Sequence, residues 1–354
     1  MEKVAILGAG AMGSALVTPL VHNGHDVRLW GTELDDGYLE AIRAGKPHPR
    51  LGLVSGAGAR LFASHQLADA LDGATLAVLA VTSTAALSVF AHVLPALGAG
   101  VPVAIVSKGF ADDGVGPVRL FPEALAGLSG DGRPFVGIGG PCKANEVAAG
   151  WPTVAVFGAL DGALRERCAA AFGTDVYVVV VTDDLTGLEL AAATKNAYAI
   201  VLGACDGLAL REGHPWHNLK AALFAQAIGE MRLLARALGG RDDTTIGPAG
   251  VGDLEVTGLS GRNRALGELI GQGTPGDQAI AMMEQSGQTV EGPAAARAAW
   301  RLVSQLEGQG SKAQAAAYPL LAALVALLAG QGDPATVLAS LLASSRRAGL
   351  AGSA

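Results

Sequence analysis

The chain has 354 residues, half of them hydrophobic, and a mean hydropathy of +0.38; this suits about two domains whose cores need neither disulfides nor structural metal. A formal net charge of −7 and a pI near 5.5 argue against nucleic-acid binding as the main function, while leaving room for a local basic pocket around a small anion. Three widely spaced cysteines, Cys142, Cys168 and Cys205, form no CxxC pair, a pattern that fits a reducing compartment and speaks against a disulfide framework or a zinc site.

The opening MEKVAILGAG enters an apolar strand at once and lacks a signal-peptide layout. VAILG (4–8) suits a parallel strand buried on both faces. It runs into GAGAMG (8–13) and then SALVTPLVHNG, a helix that ends at Asn23-Gly24. Further strands are predicted at VRLWG (27–31), LAVLAV (76–81), VPVAIVS (101–107), FVGIGG (135–140), TVAVFG (153–158) and DVYVVVV (175–181), with helical stretches such as TAALSVFAHVLPAL between some of them. This alternation predicts an α/β fold whose N-terminal part is a Rossmann-like, doubly wound sheet.

In that setting the motif Gly8-x-Gly10-x-x-Gly13 predicts a dinucleotide site. Gly8 allows the tight turn, Gly10 lets a pyrophosphate approach the backbone, and Gly13 lets helix and strand pack closely. In LWGTELDD (29–36), Glu33 is the nearest acid to meet a ribose hydroxyl, with Asp35 and Asp36 behind it. No Arg or Lys stands in that stretch for a 2′-phosphate, which favours NAD over NADP.

After about residue 184 the strand signals stop. Thr182, Asp183 and Asp184 prepare a helix start before LTGLELAAATKNAYAIVLGACDG. Helical patterns recur in NLKAALFAQAIGEMRLLARALGG (218–240), AAARAAWRLVSQLEG and TVLASLLASSRRAG. AAAYPLLAALVALLAG (315–330) is shorter than a usual membrane span and carries Pro319, so it is read as a buried helix and the protein as soluble and cytoplasmic. The expected domains are residues 1–184, dinucleotide-binding, and 185–354, all-helical and substrate-binding. Lys195 and Asn196 interrupt an apolar helix; the lysine either snorkels to solvent or serves the chemistry. Lys108 in SKG ends a strand where such folds bind ligands. GVGDLEVTGLSGRNR (250–264) sets Asp253, Thr257, Arg262 and Asn263 in what reads as a glycine-rich loop. Together these groups suggest a pocket for an anionic substrate.

Taken in order, GAGAMG, SKGF, GGPCKANEV, TKN with CDGL, GVGDLEVT, GRNR, VEGPAAA and GQGDPATVLASLL resemble the NAD(P)-dependent glycerol-3-phosphate dehydrogenase family along nearly the whole chain. The resemblance implies reversible hydride transfer between the nicotinamide and C2 of dihydroxyacetone phosphate or glycerol 3-phosphate, by a homodimer with a phosphorylated small-molecule substrate. It implies Lys195 as proton donor and acceptor, Lys108 as a second cation that polarises the carbonyl and lies near the cofactor, and Asp253 as the group that orients Lys195. A free lysine near pH 7 is a poor base, and burial beside a second cation corrects this. Arg262 and Asn263 match the pair at the substrate phosphate, where a guanidinium fork suits the oxygens; Arg262 also reaches the cofactor. Asn196 and Thr257 complete the substrate hydrogen bonds, and Gly140 and Cys142 border the substrate. Ala11, Met12, Ala144 and Glu291 join the glycines and Glu33 around the cofactor.

The chain also departs from the family pattern. Met12 stands where an aromatic is frequent, and GPCKANE replaces GPSFAKE, so that Cys142 takes the place of a small polar residue and Lys143 of an apolar one. Gln226 lies in a helix where relatives often carry arginine. His214, Trp216 and His217 sit in an altered turn that is read either as a cleft remodelled for a longer polyol phosphate or as a surface loop. Three other readings compete. A ketopantoate-like or 6-phosphogluconate-like reductase is disfavoured by Arg262-Asn263 after Asp253. A non-catalytic dinucleotide sensor would not need Lys108, Lys195 and Asp253. A Cys142 nucleophile has no histidine placed near it by sequence.

Overall fold

A computed structural model describes residues 1–308 and 315–348; the final glycine of the predicted helix TVLASLLASSRRAG, Gly349, and the end of the second expected domain lie outside the described residues. The chain divides into two compact units. The first comprises Met1–Ala111 and Arg119–Glu189, the second Asp112–Val118 and Leu190–Ala354.

The first unit is built on strands β1 (Lys3–Leu7), β2 (Asp26–Trp30), β3 (Arg60–Phe62), β4 (Leu76–Leu79), β5 (Val103–Ile105), β8 (Phe135–Gly139), β9 (Thr153–Gly158) and β10 (Tyr177–Thr182), while β6 (Phe110–Ala111) and β7 (Arg119–Leu120) form a separate short antiparallel pair. The large sheet has the order β10-β9-β8-β5-β4-β1-β2-β3. Alternate residues of β1 serve opposite layers: Val4 and Ile6 join one apolar cluster, Ala5 and Leu7 the other. Burial on both faces is why the strands read as unbroken apolar runs.

Two features differ from the alternation predicted above. β3 was not predicted, because an exposed arginine opens a run of three residues. β9 runs antiparallel to β8 although every other neighbour in the sheet is parallel. The connection 140–152 carries only the short helix Ala144–Ala148, too little for the crossover that a parallel partner requires, so the chain doubles back.

A single helix, Leu185–Glu212, starts in the first unit and runs on through the second. Its start is accommodated by two glycines paired across β8 and β9: a Cβ on Gly137 would lie 2.4 Å from Glu189 Oε1, and one on Gly158 would lie 2.6 Å from Leu188 Cδ2.

Every described element of the second unit is helical: His217–Ala237, Asp242–Ile246, a π-helical turn Pro248–Gly252, Asp253–Leu259, Arg262–Gly271, Gly276–Gln285, Gly292–Gly308, a 3-10 turn Ala315–Ala317, Pro319–Leu328 and Pro334–Ala348 follow in order. The segment 112–118 belongs here too. Arg301 donates to Gly116 O at 2.7 Å and pairs with Asp112, while Val118 N–H donates to Gln305 at 3.0 Å. The apolar stretch 315–330 becomes the helix Pro319–Leu328, with Leu320, Leu321, Leu324, Leu327 and Leu328 buried. Among the described residues no helix is long and apolar enough to cross a membrane.

Helix Arg262–Gly271 packs against Leu185–Glu212 through a glycine pair on each. A Cβ would lie 2.0 Å from Arg264 O at Gly203, 2.1 Å from Glu268 O at Gly207, 1.9 Å from Ile200 O at Gly267 and 2.1 Å from Ala204 O at Gly271. Glycines four apart share a helix face, so both backbones meet directly. Asp206 ties the same two helices by accepting from Arg264 at 2.8 Å, and it also accepts from Lys220 of helix His217–Ala237 at 2.7 Å.

Candidate active site

In the first unit, the glycine motif forms the turn between β1 and helix Ala11–His22. Gly8 has φ +114, and a Cβ there would lie 2.7 Å from Ala80 O; a Cβ on Gly13 would lie 2.0 Å from Gly8 O. These two positions require glycine for packing. Gly10 differs: a Cβ there would meet nothing within 4 Å. The open side of Gly10, at a helix N-terminus whose first N–H groups lack intrahelical partners, fits a pyrophosphate. Ala11 and Met12 follow at the helix start, half-buried, with Met12 packed on the apolar cluster.

The loop is held from behind. Ser14 Oγ donates to Ala9 O at 3.0 Å, and Asp35 Oδ2 accepts from Ala9 N–H at 3.3 Å and from Thr32 N–H at 2.9 Å. Of the three acids after β2, Asp35 is therefore buried and turned inward, while Glu33 and Asp36 are exposed. His48, fully buried, also reaches the loop: its Nδ1 accepts from Arg50 N–H at 3.1 Å, which leaves Nε2–H to donate to Ala9 O at 3.1 Å.

Lys108 follows β5 and donates to Gly140 O at 3.2 Å; the same carbonyl accepts from Cys142 N–H at 2.8 Å. Gly140 has φ +94, and a Cβ there would lie 3.0 Å from Val154 O, which restricts the position to glycine. Cys142 is half-buried, with Sγ 3.4 Å from Val154 O, and Ala144 opens the short helix beyond it. Glu189 lies in the same unit, 3% exposed. Burial pushes it up to about 8, against the opposing pull of the Lys108 charge. Sequence reading missed Glu189; the signal was an acid in an apolar stretch six residues before Lys195.

In the second unit, Lys195 is 7% exposed, and its Nζ donates to Asp253 Oδ1 at 2.5 Å and to Thr257 Oγ1 at 2.9 Å. Thr257 Oγ1 donates in turn to Asp253 O at 2.6 Å. Asn263 Nδ2 donates to Asn196 Oδ1 at 2.9 Å, and Asn263 Oδ1 accepts from Gly292 N–H at 2.9 Å. Gly292 is required there, since a Cβ would lie 2.5 Å from Asn196 O. Glu291 stands just before it, half-buried. Arg262 is exposed at the first turn of its helix.

The structure corrects one expectation in this unit. The stretch 250–264 is a π-helical turn, Pro248–Gly252, followed by two helices, and is not a loop. Two of its glycines serve close packing: a Cβ on Gly250 would lie 1.9 Å from Thr245 O, and one on Gly258 would lie 2.6 Å from Leu202 Cδ1. Asp253 and Thr257 therefore share one helix face, which is what brings both to Lys195. His214, Trp216 and His217 follow Glu212, the far end of the helix that carries Lys195. At 1.5 Å per residue they begin about 25 Å along that helix from Lys195, and His214 and His217 are exposed. The stretch is the turn between that helix and His217–Ala237, which His217 opens.

Residues 3–164 match the family described as NAD-dependent glycerol-3-phosphate dehydrogenase N-terminus, and residues 184–339 match the corresponding C-terminus. The chain is 40% identical over 305 residues, 86% of its length and 90% of the relative's, to the NADP(+)-dependent glycerol-3-phosphate dehydrogenase of Archaeoglobus fulgidus. It is 34% identical over 353 residues, 98% of its length and 96% of the relative's, to the glycerol-3-phosphate dehydrogenase [NAD(P)+] of Geobacillus kaustophilus. Among solved structures, glycerol-3-phosphate dehydrogenase from Coxiella burnetii superposes with TM-score 0.80 at 29% identity, covering 96% of this chain and 98% of that one.

Proposed function

The chain belongs to the NAD-dependent glycerol-3-phosphate dehydrogenase family, and on that premise we propose that it interconverts glycerol 3-phosphate and dihydroxyacetone phosphate with a nicotinamide dinucleotide. The bound nicotinamide supplies or accepts the hydride; the chain's own residues hold the reactants and move the proton. The relatives' names divide on the cofactor, NADP(+) in one and NAD(P)+ in the other.

The observation that carries this reading is the Lys195–Asp253–Thr257 contact set. A buried ammonium is costly unless it is paired, and this one is held by two oxygens in the unit that also carries Arg262 and Asn263. Lys195 gives its proton to the carbonyl oxygen at C2 during reduction and recovers it during oxidation. Asp253 and Thr257 fix Nζ, so the proton is presented along one direction. Arg262, with its guanidinium in solvent, takes the phosphate, and Asn263 is preset by Asn196 and Gly292. Gly10 and the helix start behind it hold the pyrophosphate. Lys108 supplies a second positive charge for the carbonyl oxygen and Glu291 a cofactor contact. A homodimer in the cytoplasm completes the proposal, and sedimentation of the purified chain tests its assembly.

The test is initial-rate oxidation of NADH and of NADPH with dihydroxyacetone phosphate, beside a panel of longer ketose phosphates. Turnover on dihydroxyacetone phosphate supports the proposal. Failure there with success on a longer ketose phosphate reassigns the substrate, and failure throughout rejects the dehydrogenase reading.

A further inference from the structure

We propose that His48, with Ser14, is a positioning residue for the dinucleotide: the two side chains hold the Ala9 carbonyl inward and so turn the Gly10 N–H outward, toward the pyrophosphate. This rests on the dinucleotide-binding reading of the glycine loop.

Gly10 has a φ of −67, which any residue adopts, and a Cβ there would meet nothing within 4 Å. Neither backbone strain nor packing within the chain requires glycine at this position, but the close approach of a phosphate to the backbone does. The orientation of the peptide between Ala9 and Gly10 then decides whether an N–H meets that phosphate. Among the described residues no peptide bond is cis, and in a trans peptide the C=O and N–H point in opposite directions. Ala9 is fully buried, and its carbonyl accepts from two side chains, Ser14 Oγ at 3.0 Å and His48 Nε2 at 3.1 Å; its N–H donates to Asp35 Oδ2 at 3.3 Å. With Ala9 O drawn inward, the Gly10 N–H faces the open side. It stands beside the first N–H groups of helix Ala11–His22, where the intrahelical ladder starts with Ser14 N–H on Gly10 O at 3.0 Å.

The histidine is held for this reach. Its ring packs on Tyr38, with centroids 4.7 Å apart. Ser55, seven residues on, pins the same segment to the glycine-loop helix by donating to Ser14 O at 2.9 Å. Nδ1 accepts from Arg50 N–H at 3.1 Å, which fixes the tautomer and leaves Nε2–H for Ala9 O. The bond to Arg50 closes a turn two residues on, a task that asparagine or aspartate performs as well. Only the longer reach of Nε2 to Ala9 O requires the ring, and a buried imidazole is costly unless its nitrogens are satisfied. The local turn therefore does not account for His48, and the glycine loop does.

The experiment measures Kd for NADH and for ADP-ribose by calorimetry, with kcat and the KM for dihydroxyacetone phosphate at saturating NADH, in the parent, His48→Asn, His48→Gln and Ser14→Ala. Asparagine keeps an acceptor for Arg50 N–H and loses the donor to Ala9 O; glutamine keeps a donor within reach of Ala9 O and loses the acceptor. His48→Asn should weaken NADH and ADP-ribose by roughly tenfold, the scale of one lost hydrogen bond, and His48→Gln should recover most of that loss. The kcat and the KM for dihydroxyacetone phosphate should stay near the parent values. A histidine that served only its own turn would give the opposite order; that order, or equal effects in both variants, would overturn the inference. Ser14→Ala removes the other donor from the same carbonyl and should weaken both ligands likewise. Unchanged affinity there would overturn the inference even if His48→Asn fails to fold. A parent that binds neither ligand would strike the dinucleotide-binding reading instead.

Discussion

Lys195 keeps its ammonium in an otherwise apolar helix because Asp253 and Thr257 meet it there. The lysine was legible in the sequence as a break in an apolar run. Its partners were not, since they lie 58 and 62 residues further on, and their four-residue spacing signals one helix face only once 253–259 is known to be helical. Glycines hid that helix, because composition does not distinguish a glycine that loosens a loop from one that lets two backbones touch. Thr257→Val removes one of the two oxygens on Nζ and leaves the charge pair; kcat for dihydroxyacetone phosphate is expected to fall roughly tenfold, less than the loss of the acid–base group itself would cost. Arg262→Ala is expected to raise the KM for the phosphorylated substrate with a smaller change in kcat. An unchanged KM would place the phosphate elsewhere.

Among the elements, the crossing of helices Leu185–Glu212 and Arg262–Gly271 fixes Asn196 against Asn263. Alanine is the better helix former by about 1 kcal/mol in isolation, yet Gly267→Ala would put a Cβ 1.9 Å from Ile200 O. Backbone cannot yield as a flexible side chain does, so overpacking wins: the variant should lose roughly 1–3 kcal/mol or more in denaturant unfolding. A gain in stability would mean that the helices separate freely. Glu230 is a second joint. Its carboxylate accepts from Leu320 N–H at 2.6 Å and Leu321 N–H at 2.9 Å at the start of helix Pro319–Leu328, and from Tyr198 at 3.1 Å. Glu230→Ala should cost at least about 2 kcal/mol, since buried donors are left without an acceptor. The sheet was easier to read, because doubly buried strands announce themselves as apolar runs. The direction of β9 was not, since it depends on how little chain joins it to β8.

At the scale of the molecule, two buried carboxyls set the pH response. Burial pushes Glu189 up to about 8 and Glu230 up to about 7, the latter despite its hydrogen bonds. Both folded-state values lie above the ordinary 4.5, so between pH 4.5 and 7–8 the native state binds protons that the unfolded chain has released. Stability from these groups is full below pH 4.5 and declines as pH rises through that window, each group contributing a slope of at most about 1.4 kcal/mol per pH unit. Glu2, held down to about 2 by Arg167, acts in the opposite sense and only in acid. Urea unfolding at pH 5, 6.5 and 8 should show the decline in the parent and a shallower one in Glu189→Gln; parallel curves would refute the assignment. Two-part organisation was legible from the end of strand signals near residue 184, but the transfer of residues 112–118 to the helical unit was not. That assignment depends on Arg301 and Gln305, which lie far along the chain.

Whether Lys195 carries the proton is decided by measuring kcat for dihydroxyacetone phosphate together with the Kd for NADH in Lys195→Ala. As the proton donor, Lys195 should take with it roughly a hundredfold or more of kcat, the scale of a lost general acid, with NADH bound nearly as tightly as by the parent. Turnover within a few-fold of the parent, with NADH binding intact, would contradict that role.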